Sequence, residues 1–331
     1  MSLLSGDDPA AIQAAAQRLA DCGLVALPTE TVYGLGARAD DDAAVAAIFA
    51  AKGRPSDHPL IVHVADWARA LPFIDQDAAP LPAALSRLIH AFWPGPVTVI
   101  VARAHRMGSA AAAGLATIGL RCPAHPVALA VLRAAAALGV PGVAAPSANR
   151  FGRVSPTTAA HVLQEFGPGL CVIDGGACAL GIESTIVDCT GAAPALLRPG
   201  QLLRVQIESV LGRSLLAPGA GSPRASGTLE SHYAPAAAVR LWDSAALRQR
   251  LQAPPGPAEV GVAVYSRLVL AAQSGWVWRA MPSHAAAAAH ELFLVLRELD
   301  DSGVKAIWVE RPPLAAEWDG VRDRLVRAAA T

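Results

Sequence analysis

Leu24-Val25-Ala26-Leu27 reads as one short buried strand, and the nine residues after it are Pro28-Thr29-Glu30-Thr31-Val32-Tyr33-Gly34-Leu35-Gly36. Proline and glycine mark the end of the strand. The hydroxyls and the carboxylate therefore gather at a strand terminus, where α/β proteins hold their ligands. Lys52-Gly53-Arg54-Pro55 arrives one helix later. Such a loop can hold a small polar substrate, and a Lys/Arg pair beside it can neutralise phosphates. On the residues alone, the pattern points to an anionic ligand.

Beyond this loop, short apolar runs alternate with alanine-rich segments. Asp8 and Pro9 open a helix, and Gly23 follows its end. Further helices are predicted over 42–51, 81–92, 126–138 and 157–166. Strands are predicted over 60–64, 97–102, 117–121, 142–145, 171–174, 184–189 and 195–198. Together they define an α/β domain over residues 1–205. Residues 206–237, expected to be a linker and active-site lid, change character: a short helix over 205–211 leads into a Gly/Pro/Ser-rich stretch, 217–227. Residues 238–331 return to alternation, with strands at 239–242, 260–265, 276–280 and 305–310 and helices at 244–251, 284–299 and 319–329. This predicts a smaller Rossmann-like, three-layer α/β domain around a largely parallel sheet.

Bulk properties narrow the function classes. The 331 residues can bury two cores, and a hydrophobic content of 53% excludes a disordered chain. No apolar stretch reaches membrane-spanning length, and the N-terminus lacks a basic segment followed by an apolar one, so a cytoplasmic protein without membrane contact is expected. The 27 basic residues balance 27 acidic ones, which argues against a broad surface for gripping nucleic acid and leaves a local patch open. Five cysteines form no CxxC pair and no metal-ligand spacing, so neither a disulfide nor a zinc site is expected.

No P-loop, no dinucleotide fingerprint and no HExxH sequence is present. The polar segments each have an ordinary alternative. Thr29, Thr31 and Tyr33 could simply cap a strand-to-helix connection. Lys52 and Arg54 could oppose a helix dipole, although Gly53 and Pro55 fix their geometry in a way that suits phosphate. His63 sits between Val62 and Val64 like a core histidine. Arg121 ends an apolar run, where a buried arginine needs an anion, internal or bound. Pro146-Ser147-Ala148-Asn149 through Ser155-Pro156-Thr157 could cap a helix or bind an anion with free N–H groups. Ile182-Glu183-Ser184-Thr185 and Leu196-Leu197-Arg198-Pro199-Gly200 repeat the theme.

In order, the chain contains PTETVYGLG, KGRP with PLIVHV, FWPGPVT, GLRCPAHP, APSAN with SPT, ESTIVD and LRPG. Over residues 10–205 these motifs closely resemble the Sua5/YrdC/TsaC family of threonylcarbamoyl-AMP synthases. His232-Tyr233-Ala234-Pro235 and the C-terminal α/β domain resemble its long, Sua5-type members. The resemblance implies a YrdC-like twisted mixed-sheet domain and a nucleotidyltransferase. That enzyme would make L-threonylcarbamoyladenylate and pyrophosphate from L-threonine, bicarbonate and ATP. A downstream tRNA threonylcarbamoyl transferase system would pass the group to adenosine 37 of ANN-decoding tRNAs, with at most a weak tRNA contact by this chain.

By motif match, Thr31, His63, Arg121 and Ser184 would hold threonine, and Ala145 would offer backbone contacts. Arg54, His58, Thr117, Ser147, Ser155, Arg198 and Tyr233 would surround ATP. Lys52, with Arg54, would be catalytic at the phosphates, and Asn149 would support the same loop. Mg²⁺ would come with ATP, with no protein ligand assigned. Two departures stand out: Asp57 and His58 replace the family's usual Asn, and the methionine and basic pair that precede His-Tyr in many relatives are absent. Two other readings compete: a non-catalytic tRNA- or RNA-binding module, and a carbamoyltransferase related to hydrogenase-maturation proteins. The second would bring zinc motifs and an acylphosphatase-like region that this sequence lacks.

Overall fold

Helix starts follow from the capping residues. In the computed structural model, which describes residues 3–77, 82–219, 221–229, 231–268 and 275–330, β1 (Leu3–Ser5) precedes α1 (Pro9–Ala20). The Asp8 carboxylate accepts the Ala10 N–H, and Pro9 takes the first helical position, where a missing N–H costs nothing. β2 (Val25–Leu27) and β3 (Gly34–Arg38) follow. Asp41 then accepts from Ala44 and opens α2 (Asp42–Lys52). Gly53 closes α2 in the left-handed conformation, φ 63°, which a side chain resists.

The chain continues through β4 (Ile61–His63), α3 (Trp67–Ala70), α4 (Ala83–Phe92), β5 (Val97–Ala102) and β6 (Thr117–Arg121). Next come α5 (Pro126–Ala137), β7 (Val143–Ala144), α6 (Ala159–Phe166) and β8 (Cys171–Asp174). β9 (Thr185–Asp188), β10 (Ala195–Arg198) and α7 (Arg204–Leu211) complete the set. The ten strands make one mixed sheet, ordered β1-β8-β2-β3-β7-β4-β6-β5-β9-β10.

Strand alternation gives the sheet two unlike faces. Val97, Val99 and Val101 turn towards a large core shared with Ile48 of α2, Leu88 of α4, Val162 of α6 and Ile207 of α7. On the opposite face, Val25, Leu27 and Val143 pack against Leu19 of α1 and Val131 of α5. Farther along, Ile61, Ile100, Ile186, Ala195 and Leu197 form a separate cluster with no helix residue in it among the described residues, and Ala225 packs against it. A sheet face without a helix over it must be met by a loop, water or a ligand.

A second unit comprises Gly152–Val154 and everything from Leu229 onwards, while Ser155–Thr228 belongs to the first. It contains β11 (Ala238–Trp242), α8 (Ser244–Arg250), β12 (Val262–Ser266), β13 (Val277–Ala280), α9 (Ala285–Asp301), β14 (Ala306–Glu310) and α10 (Asp319–Ala328). All pairs in its sheet, β11-β14-β12-β13, are parallel. Leu247 and Leu251 pack with Val264, Trp276 and Trp308 on one face. Buried Ile307 and Val309 alternate to the other, where α9 and α10 lie against β14 and β11. This is the expected parallel-sheet arrangement.

Three elements were not expected. β3 has the sequence Gly-Leu-Gly-Ala-Arg, with no strand periodicity of its own, and exists because β2 and β7 pair on either side of it. β1 is a three-residue edge strand held by β8 alone, and α3 is a single capped turn. The strands expected over 97–102, 117–121, 171–174 and 195–198 have those bounds, several others lost a residue or two at an end, and 142–145 shrank to Val143–Ala144. Residue 81, the expected start of the third helix, and linker residues 220 and 230 lie outside the described residues.

Candidate active site

β4 and β6 run parallel with His63 opposite Arg121, so these two side chains finish neighbouring strands on one face. Thr117 begins β6 opposite Ala102. It lies on the same face as Arg121, four residues and roughly 13 Å away. Between them Gly119 lies beside Ile100, Ile61 and Thr98 and keeps this part of the face shallow.

Arg121 is buried, at 4% exposure. Its Nη1 donates to Thr31 Oγ1 at 2.9 Å and its Nε to the Gly95 carbonyl at 3.3 Å. Nη2 stands 2.6 Å from Glu30 Oε1, yet its N–H bonds point past both carboxylate oxygens, so the ion pair is not a hydrogen bond. The Thr31 hydroxyl meets Thr29 Oγ1 at 2.8 Å, and Thr29 Oγ1 donates to the Val32 carbonyl at 2.6 Å, which fixes the loop in a tight turn. Burial, then the neighbouring Arg121 charge, push the His63 pKa down to about 3. The imidazole is therefore neutral at physiological pH.

Lys52, at the end of α2, is also buried. Its ammonium donates to the Ser147 carbonyl at 2.6 Å and the Asn149 carbonyl at 2.5 Å. Burial first, then the Arg54 charge, hold its pKa well below the usual lysine value. The Ser147 loop is docked from the other side by a bridge to Gly34 and by the Ala148 N–H on the Tyr33 carbonyl at 2.8 Å. Arg54 donates to the Pro59 carbonyl at 3.2 Å. Arg54 and His58 flank the Phe151 ring at 5.8 and 5.7 Å. Burial, then Arg54, lower the His58 pKa. The Ala145 N–H is taken by the Ile61 carbonyl at 2.9 Å, so a ligand contact there falls to its carbonyl.

At the far side, Thr98 and Ser184 hydroxyls meet at 2.8 Å. Arg198 donates from Nε and Nη2 to the Ser184 carbonyl, at 3.1 and 2.9 Å, and from Nη1 to the Ser226 carbonyl at 2.9 Å. Linker residues Ala225 and Ser226 therefore rest on the uncovered sheet face. Gly200 allows the chain after β10 to come close, since a Cβ there would lie 2.6 Å from the Thr185 nitrogen. Ser155 Oγ donates to Glu183 Oε1 at 2.5 Å.

Of the residues singled out in the sequence, the fold gathers Thr31, His63 and Arg121 at two strand ends. It places Lys52 beneath the Ser147–Asn149 loop and ties Ser184 to Arg198. Tyr233 lies in the second unit, 1% exposed, with φ 65°, stacked on Phe293 at 5.4 Å and with Arg324 5.4 Å over its ring. Thr98 and Glu183 were not singled out, although each lies inside a quoted motif, and Glu30 entered only as the carboxylate of the strand-end loop, with no part assigned to it. A separate open cavity of about 600 Å³, lined by Ser5, Asp7, His125 and Asp174 among others, contains none of these residues.

Fold and site together define an α/β enzyme whose buried cationic and hydroxyl side chains gather at the strand ends of a sheet face that carries no helix. A family model covering Sua5, YciO and YrdC proteins, described as "Telomere recombination", matches residues 17–200, and a second, described as the C-terminal domain of threonylcarbamoyl-AMP synthase, matches residues 203–330. The chain belongs to the Sua5/YciO/YrdC family, with a Sua5-type C-terminal domain. A Bacillus subtilis relative named threonylcarbamoyl-AMP synthase is 37% identical over 339 residues, covering 98% of this chain and 94% of its own. A Pyrococcus abyssi relative of the same name is 42% identical over 234 residues, covering 69% of this chain and 66% of its own. The structure of P. abyssi Sua5 complexed with L-threonine matches with a TM-score of 0.87 at 33% identity, covering 99% of this chain and 97% of that one. The expected YrdC-like and Rossmann-like architecture is thus the observed one.

Proposed function

We propose that this protein condenses L-threonine, bicarbonate and ATP into L-threonylcarbamoyladenylate and pyrophosphate. The observation that carries this reading is the uncovered sheet face, where buried Arg121 stands at a strand end with Thr31 and His63 beside it. A guanidinium fork suits a carboxylate, and Arg121 receives that of threonine. Thr31, Ser184 and neutral His63 offer hydrogen bonds without adding charge.

The threonine amine, freed of its extra proton, attacks the bicarbonate carbon; the new C–N bond replaces a C–OH bond, and N-carboxy-threonine and water result. Its carbamate oxygen attacks the α-phosphorus of ATP in line, the bond to the pyrophosphate oxygen breaks, and a mixed anhydride remains. The reaction needs positioning and charge neutralisation rather than a covalent nucleophile. Arg54, His58, Thr117, Ser147, Ser155 and Arg198 border the nucleotide, and Ile100, Ile186 and Leu197 give the base an apolar floor. Lys52 supports the Ser147–Asn149 loop through two carbonyls and adds positive potential to it. Among the described residues no cluster of His, Cys, Asp or Glu is built to hold a metal ion. Mg²⁺ accompanies ATP, held by its phosphates and water.

A mixed anhydride hydrolyses readily, so the linker over the sheet face serves to exclude water. The product then passes, in the cytoplasm, to a transferase system that modifies adenosine 37 of ANN-decoding tRNAs. The test is pyrophosphate release from ATP, with L-threonine and bicarbonate each omitted in turn. Release that requires both, with a product of threonylcarbamoyl-adenylate mass, is expected. Release that ignores threonine would overturn the reading.

A further inference from the structure

Glu30 lies between Thr29 and Thr31, 8% exposed, and neither of its carboxylate oxygens makes a hydrogen bond. Taking a carboxylate out of water without hydrogen bonds is costly. Neutralising Arg121 explains this only in part. A pair kept for charge balance favours two parallel N–H···O bonds. Arg121 instead gives its aligned N–H groups to Thr31 and Gly95, and Nη2 merely stands 2.6 Å from Glu30 Oε1. The result is a buried cation and a buried anion side by side, the anion with its acceptor capacity unused. That arrangement complements a zwitterion whose carboxylate and ammonium sit on one carbon.

We infer that Glu30 receives the α-ammonium of the amino-acid substrate while Arg121 receives its carboxylate. The inference rests on the threonine reading above and adds a specificity determinant to it. The neighbouring candidates carry no negative charge: Thr31 and Ser184 are hydroxyls, and His63 is neutral. Glu30 is thus the group that separates an amino acid from the corresponding hydroxy acid, which presents the same carboxylate to Arg121 but no cation.

The test is calorimetric binding, without ATP, of L-threonine and of 2,3-dihydroxybutanoate, which keeps the carbon skeleton and carboxylate and replaces the ammonium with a hydroxyl. The native protein is expected to prefer threonine by about tenfold or more, the scale of one charge-assisted hydrogen bond. In Glu30→Gln that preference falls to within about threefold, with the hydroxy acid bound as well as before or better. Glu30→Asp keeps the countercharge for Arg121 and withdraws the oxygens by one methylene. It is expected to melt like the native protein and to lose part of the preference, and it decides the matter if the Gln variant fails to fold. A native-like preference in both variants overturns the inference. So does an equal weakening of both ligands, which would mean that Glu30 only positions Arg121. If the native protein binds neither compound, the threonine reading falls and this inference with it; unchanged selectivity in the variants removes the inference alone.

Discussion

Arg121 and His63 share a strand end, and their surroundings set what replacing each would do. Arg121→Ala leaves the Glu30 carboxylate buried without its cation, a change that typically costs about 3–5 kcal/mol. It is expected to lower the urea midpoint as well as abolish threonine-dependent pyrophosphate release. Arg121→Lys keeps the charge and loses the fork. It should be far milder in stability and still cost more than about tenfold in kcat/KM for threonine. Denaturant titration beside steady-state kinetics separates the two effects. His63 yields a pH dependence. Its pKa is about 3 when folded, against an ordinary 6.5. The unfolded chain therefore takes up a proton below 6.5 that the folded chain refuses until about 3. Stability contributed by neutral His63 is fully present above pH 6.5 and is lost as pH falls towards 3, an effect of the order of 5 kcal/mol. The melting temperature of His63→Gln, measured from pH 7 down to pH 4, should fall less steeply than that of the native protein.

At the scale of elements, the linker is the part whose attachments differ most in strength. Ala225 packs on the apolar face and the Ser226 carbonyl accepts from buried Arg198, whereas the Arg224–Asp57 ion pair spans 3.6 Å between side chains that are 61% and 65% exposed. An exposed pair of this kind contributes little and is screened by salt. Arg224→Ala should therefore leave pyrophosphate release within about twofold, while Ala225→Asp, which places a charge on the apolar floor, should reduce it sharply and expose the linker to limited proteolysis. Both are read in one assay series. Sequence pattern shows the elements that carry their own signals: α1 through Asp8 and Pro9, and β5 as a short apolar run. It does not show β3, whose glycines form a strand only between two partners, or the role of Glu30, which among threonines reads as an ordinary loop acid until burial and Arg121 are visible. Individual site residues come from the ordered motifs. What those motifs omit is which face the side chains share, because strand register decides that.

At the scale of the whole chain, sequence order and compact units do not coincide. Gly152–Val154 is flanked by the Asn149 loop and Ser155, yet it belongs to the unit built from Leu229 onwards. Within that unit the Ala234 N–H donates to the Gly152 carbonyl at 2.9 Å, Arg153 pairs with Asp300 at 3.3 Å, and Arg297 donates to the Val154 carbonyl. Asp300 also accepts the Ala236 and Ala237 N–H groups, at 2.9 and 2.8 Å. The C-terminal unit thus holds both the chain that leaves the linker and the tripeptide one bond away from Ser155. A change made in α9 should consequently be felt in ATP use. Arg297 is 8% exposed, and removing a buried charged donor from a carbonyl costs about 1.5–3 kcal/mol. Arg297→Ala is expected to lower the melting temperature and to raise KM for ATP several-fold, with KM for threonine nearly unchanged, since His63 and Arg121 lie on the sheet and Thr31 on the turn before β3, none of them on this loop. Equal changes in the two constants would mean that the C-terminal unit acts on the sheet as a whole. Loss of stability with both constants intact would restrict it to a structural part. The ATP-selective rise is the result that ties the second unit to the nucleotide side of the reaction.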